Sequence, residues 1–353
     1  MAPRLPLRTL LAVGLAPPTI ACKVPNVATD PSDDPTVEHA IRLDAHAHIV
    51  SPTLLKANGG DSDGDGPASS AQQYVDDFMR ASGSQRAQVL SSAYMWSSPA
   101  LQGDDYDAEL AAVQQENDFV VAQSALFPDQ LVPFCSVNPT RGYALDEIDR
   151  CLTEYGVRGL KMHFSNSQID LTDGDQLADV QAVIWHAAAQ GVSVVVHFAD
   201  LSALSGDDTD AAQQDAQAAM NIFLTKVLAD DRATGLHLTF AHLTGAGNFP
   251  SWTQATLSGL IGADQQGIFA DDVSLFVDVS AVFDRDDLGT LSPGVTNEDL
   301  QNMGLLLEMW GMDRVVWGSD NNPDYLTPTW DMWPLSPADY DTMASADGSA
   351  FLQ

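Results

Sequence analysis

The stretch "VSVVVHFA" (192–199) decides the fold of this 353-residue chain. It is a short apolar run rich in valine, and it reads as a strand ending in a histidine. "LADVQAVIWHAAAQ" (177–190) precedes it and "AAQQDAQAAMNIFLTKVLADD" (211–231) follows, both with apolar residues at helical spacing. Working outward, the same alternation recurs. The other strand segments are "IRLDAHAHI" (41–49), "RAQVLSSAY" (86–94), "LVPFCSVNP" (131–139), "VRGLKMHF" (157–164), "LHLTFAHLT" (236–244), "SLFVDVSA" (274–281) and "DRVVWGSD" (313–320). Helices are expected at 108–126, 144–155 and 297–310 as well. Eight strands alternating with helices indicate parallel β/α units. Right-handed crossovers can close eight of them into a single-domain (β/α)8 TIM barrel over 41–353. A doubly wound open sheet is the alternative.

In such a barrel the chemistry sits at the C-terminal ends of the strands, and five of the eight histidines fall there. His46 and His48 stand two apart at the end of the first strand, so they point the same way, as does Asp44. Strand four carries Lys161 and His163, strand five His197, strand six His242, and the eighth ends in Asp320. Each histidine alone reads equally as a hydrogen-bonded core residue. Together they suit a divalent metal of borderline softness. Asp320 could both hold the metal and take a proton from water, and His242 could polarise a carbonyl or shuttle a proton.

The motifs "DAHAHI", "GLKMH", "VVVHF", "FAHLTG" and "VVWGSDNNP", in that order, resemble the amidohydrolase superfamily. The likeness is to the amidohydrolase-related branch that includes aminocarboxymuconate-semialdehyde decarboxylase, and it covers roughly residues 41–325. It implies one zinc, or else manganese, ligated by His46, His48, His197 and Asp320, with His242 as the acid/base residue. A metal-activated water would then attack an amide, ester or lactone carbonyl of a small molecule. Non-oxidative decarboxylation of an unsaturated or aromatic acid is the alternative, and a binding lipoprotein that has lost catalysis is a third reading. In binuclear members a strand-four lysine is carboxylated and bridges two metals, a role open to Lys161. Otherwise Lys161 and His163 would contact substrate or support the site. Asn321 and Asn322 depart from the usual aromatic-proline ending and are expected to alter the pocket. Similar metal-dependent nucleases want a glutamate on strand four, where this chain has Gly159, Lys161 and His163.

Fifteen basic against 49 acidic residues give a formal charge of −34. Such a surface repels nucleic acid and anionic lipid. The N-terminus reads as a signal peptide over 1–22, with a basic start, an apolar run and "TIAC" resembling a lipobox at Cys22. An acidic, proline-bearing linker follows at 23–40. These features predict export to the bacterial periplasm or cell envelope, with membrane attachment only through a lipid anchor. Cys135 and Cys151 are left open between a disulfide and two buried thiols. "DSDGDG" (61–66) places Asp61, Asp63 and Asp65 as in the first half of a calcium loop, although Gln72 stands where a glutamate is needed.

Overall fold

A computed structural model describes residues 41–59, 67–198, 210–245, 251–282, 296–321 and 335–346. The signal peptide and linker, and the aspartates proposed for calcium, lie outside these residues. No helix among the described residues is long and apolar enough to cross a membrane.

Eight strands run β1 (Leu43–Ala47), β2 (Arg86–Leu90), β3 (Leu131–Ser136), β4 (Gly159–His163), β5 (Ser193–His197), β6 (His237–Phe240), β7 (Ser274–Asp278) and β8 (Val315–Val316). They pair in sequence order, every neighbour parallel. The seam between the last and first strands is held by Ala45 N–H to Trp317 C=O at 2.9 Å and Asp320 N–H to His46 C=O at 2.7 Å. The expected barrel is thus present and the open sheet is not.

Side-chain alternation divides the sheet into two faces. Leu160, Met162, Val194, Val196, Leu238 and Phe240 point outward into one apolar cluster with helical residues such as Val180, Ile184, Leu257 and Leu307. Each such burial contributes about 1.5–3 kcal/mol. Leu90, Phe134, Val195 and Ala241 fill the interior. Gly159 is required there, because a Cβ at this position would lie 2.3 Å from the Phe134 ring. Above this plug, the interior positions of β4 and β5 become Lys161, His163 and His197.

The helices Ala144–Tyr155 and Asn297–Trp310 occupy the expected spans. Asp173 caps a helix that begins earlier than its apolar pattern, at Gly174–Gln190. The expected helix 211–231 is α-helical over Asp210–Ile222 and widens to a π turn at Phe223–Leu228. A second π turn, Tyr74–Met79, interrupts the helix after β1 that the sequence pattern did not indicate. Cys135 of β3 and Cys151 of the following helix are disulfide-bonded, which resolves the open choice between pair and thiols.

Candidate metal centre

The end of β1 presents two imidazoles whose protons are assigned by their neighbours. His48 Nδ1 lies 2.7 Å from the Leu90 carbonyl oxygen, which can only accept, so Nδ1 carries the hydrogen and Nε2 the lone pair. His46 Nδ1 lies 2.9 Å from the Asp278 carboxylate. Burial works against charge on Asp278, but the His46 ring and its hydrogen bond, with the bond from Ser280, hold that carboxyl well below the usual range. His46 therefore also bears its proton on Nδ1. The two Nε2 atoms approach to 3.2 Å, and an Asp320 carboxylate oxygen stands 3.6 and 3.5 Å from them. Burial, with the neighbouring positive groups, pushes the His48 ring down to about 3, so it does not relieve the crowding by taking a proton. Three acceptors facing one point call for a cation among them, and Lys161 Nζ, 3.3 Å from His46 Nε2, is the one that the chain itself brings near.

Adjacent chain fixes this corner. Asn321 Oδ1 accepts from His48 N–H at 2.6 Å, and its amide donates to the His48 carbonyl. Gly318 lets the segment after β8 approach, since a Cβ there would meet His46 Cβ at 2.7 Å. Asp44 shares the parity of the histidines but serves the seam. It accepts from Tyr74 O–H at 2.5 Å, Ser319 N–H at 2.9 Å and His46 N–H at 3.1 Å. Burial pushes its carboxyl up to about 6.

His242 sits at the end of β6 in an unusual backbone. His242, Leu243 and Thr244 have φ of 52°, 54° and 74°, a left-handed turn without glycine. Each such residue costs about 1–2 kcal/mol, so packing must impose the turn. The His242 N–H donates to Asp278 Oδ1 at 2.9 Å, and its Nδ1 donates to the Ser280 carbonyl at 2.7 Å. The remaining lone pair is again on Nε2. Burial lowers the His242 basicity further. Asp320 has φ of 49°. Burial disfavours its charge, but His46, His242, His48 and Lys161 reverse the effect and keep its carboxyl below the ordinary value.

The opposite side is looser. Lys161 Nζ lies 3.3 Å from His46 Nε2, and burial pushes its ammonium down to about 8 against the pull of Asp278 and Asp320. The His163 and His197 rings stack at 3.8 Å and 13°. His163 Nδ1 accepts from Ser165 O–H at 3.1 Å and Asn166 N–H at 3.3 Å. His197 Nε2 is buried with no hydrogen-bond partner. Burial first, and then surrounding positive groups, push both rings well below ordinary histidine.

Among the described residues, two groups could hold a metal: His46, His48 and Asp320, and separately His46, His242 and Asp278. His197 joins neither, although its orphaned nitrogen stands in the adjoining wall. The donor set of the first group, two imidazole lone pairs and a carboxylate, fits zinc or manganese. The sequence reading missed Asp278 and Ser280. The rule that picked out the strand-end histidines applies to Asp278 at the end of β7, but an aspartate is unremarkable in so acidic a chain. It passed over Tyr74 because that residue lies on a helix between strands.

Solved structures share this architecture. The 5-carboxyvanillate decarboxylase of Novosphingobium aromaticivorans, complexed with manganese and 4-hydroxy-3-methoxy-5-nitrobenzoic acid, is 13% identical, with a TM-score of 0.54 over 90% of this chain and 97% of that one. A dihydroxybenzoic acid decarboxylase from Polaromonas, with bound manganese and 2-nitroresorcinol, is 14% identical, with a TM-score of 0.55 over 88% and 96%. The 4-oxalomesaconate hydratase of Rhodopseudomonas palustris is 15% identical, with a TM-score of 0.51 over 88% and 95%. At these identities the likeness is one of fold. The sequence finds no match among curated proteins. The amidohydrolase family profile matches residues 43–348, which span all eight strands and every residue of the centre, and the chain belongs to the amidohydrolase family.

Proposed function

We propose that the chain is a metal-dependent hydrolase of small molecules, acting on an amide, ester or lactone carbonyl. The observation that carries this reading is the convergence of the His46 and His48 Nε2 lone pairs on an Asp320 oxygen, at 3.2 to 3.6 Å. His46, His48 and Asp320 would hold one zinc or manganese, with His197 completing the set from β5. When bound, the ion supplies Lewis acidity to a substrate oxygen and to water.

The chain does the rest. Asp320 would accept a proton from the attacking water on its second carboxylate oxygen. His242, held by Ser280 through Nδ1, passes a proton through Nε2 to or from the reacting group. Buried Tyr94, tilted against the His163 ring at 4.9 Å, would shield that side of the centre from water.

Decarboxylation draws support from the solved decarboxylases with manganese. It also wants a cation free to grip a substrate carboxylate. Arg158 donates to the Gln190 carbonyl at the far end of β4, which leaves Lys161, displaced from His46 Nε2 once an ion is held there, as the cation at the centre that this alternative would use. We also propose export, with Cys22 as a lipid anchor. The Cys135–Cys151 disulfide suits an oxidising compartment.

The test is a substrate panel of lactones, esters, amides and aromatic or unsaturated acids, run on metal-free and zinc- or manganese-reconstituted protein. Metal-restored hydrolysis supports the reading. Metal-restored release of carbon dioxide without hydrolysis would replace it with decarboxylation.

A further inference from the structure

We infer that Asp278 is the positioning residue of the centre. It would set both the metal-facing nitrogen of His46 and the location of His242. The inference rests on the metal-site reading above.

Asp278 is fully buried at the end of β7, and both of its oxygens are committed. Oδ2 takes the His46 Nδ1 proton at 2.9 Å. Oδ1 accepts from the His242 N–H at 2.9 Å, the Ser280 N–H at 3.1 Å and the Ser280 O–H at 2.5 Å. Oδ1 is filled by these three donors, and Oδ2 meets His46 at Nδ1, the ring nitrogen opposite the Nε2 that faces His48 and Asp320. Asp278 therefore acts from behind His46, on the side away from the His46–His48–Asp320 cluster.

The two connections do different work. At His46 the carboxylate holds the proton on Nδ1 and so keeps the Nε2 lone pair facing His48 and Asp320. At His242 it ties down the first residue of a left-handed turn that has no glycine to make it easy. Ser280 closes the arrangement, because its carbonyl takes the His242 Nδ1 proton at 2.7 Å. One carboxylate thus couples β1 to β6 across β7, so ligand and acid/base group keep a fixed separation.

The experiment uses Asp278→Asn in the full chain. The amide places a donor or a weaker acceptor against His46 Nδ1. Zinc affinity is read by competition with a chelating dye, and cobalt(II) absorption reports ligand geometry. The expected result is a zinc dissociation constant raised about 10- to 100-fold, an unchanged number of ions per chain and altered cobalt bands. In metal-free protein labelled with 15N-histidine, the His46 resonances should show loss of the Nδ1–H tautomer.

An Asp278→Asn affinity within threefold of wild type, with the His46 tautomer unchanged, would overturn the inference. A fall from two ions to one would also overturn it by making Asp278 a ligand. If Asp278→Asn does not fold, Asp278→Glu gives the same readouts with the carboxylate displaced by one methylene, and wild-type affinity there would be equally contrary. Wild-type protein that binds no zinc would remove the metal-site reading itself, an outcome distinct from a metal-binding wild type that is indifferent to position 278.

Discussion

The two sides of the barrel mouth are held in different ways. On the side built from β1, β6, β7 and the segment after β8, each histidine has its Nδ1 on a fixed acceptor: Leu90 for His48, Asp278 for His46, Ser280 for His242. On the side built from β4 and β5, His163 and His197 lean on each other by ring stacking, and His197 Nε2 has no partner. The first side is oriented before any ligand arrives. The second keeps an uncommitted donor. A centre needs both: oriented groups hold the ion in a set geometry, and an uncommitted group lets it and the substrate enter.

This contrast can be tested from its strongest consequence downward. Replacing His242 with alanine should lower turnover about 10²- to 10⁴-fold while the metal content, measured by elemental analysis, stays at the wild-type value. A loss of metal together with activity would move His242 from the acid/base role to a ligand role. Next in size is a change remote from both sides. Cys151→Ser opens a bridge between residues 16 apart and should cost about 3 kcal/mol of stability. Denaturant unfolding reads that loss, and zinc affinity should not follow it. Gly318→Ala pushes a methyl group at His46 and should destabilise by about 1–3 kcal/mol. It should weaken zinc binding too, because the strain falls on a ligand of the oriented side. The smallest effect is expected on the stacked side. His163→Ala removes an aromatic pair worth about 0.5–1.5 kcal/mol, and the ion count per chain should be unchanged.

Much of this arrangement is legible in the sequence, and the parts that are not share a physical reason. Period-two strands ending in histidine can be read directly, so all eight strands and the positions of His46, His48, His163, His197, His242 and Asp320 were within reach. What orients those side chains is hidden. Leu90 and Ser280 act through backbone carbonyls, which leave no mark on residue identity. Asp278 is one of 49 acidic residues, and its role follows only from the strand order that sets β7 between β6 and β8. The helix Ser251–Gln265 escaped because its threonines and glycines blur the apolar period. The disulfide could not be assigned because pairing depends on a Cα separation, here 6.6 Å, that the spacing of 135 and 151 does not fix.

The most direct test of the centre is the number of divalent ions per chain in wild type and His46→Ala, after reconstitution with zinc or manganese and removal of loosely bound metal. We predict one ion per wild-type chain, lost in the variant, because His46 belongs to the convergent set and is the proposed ligand whose Nδ1 meets Asp278. A wild-type chain that takes up neither metal would contradict the account and would leave Lys161 as the cation that the clustered acceptors were built to receive.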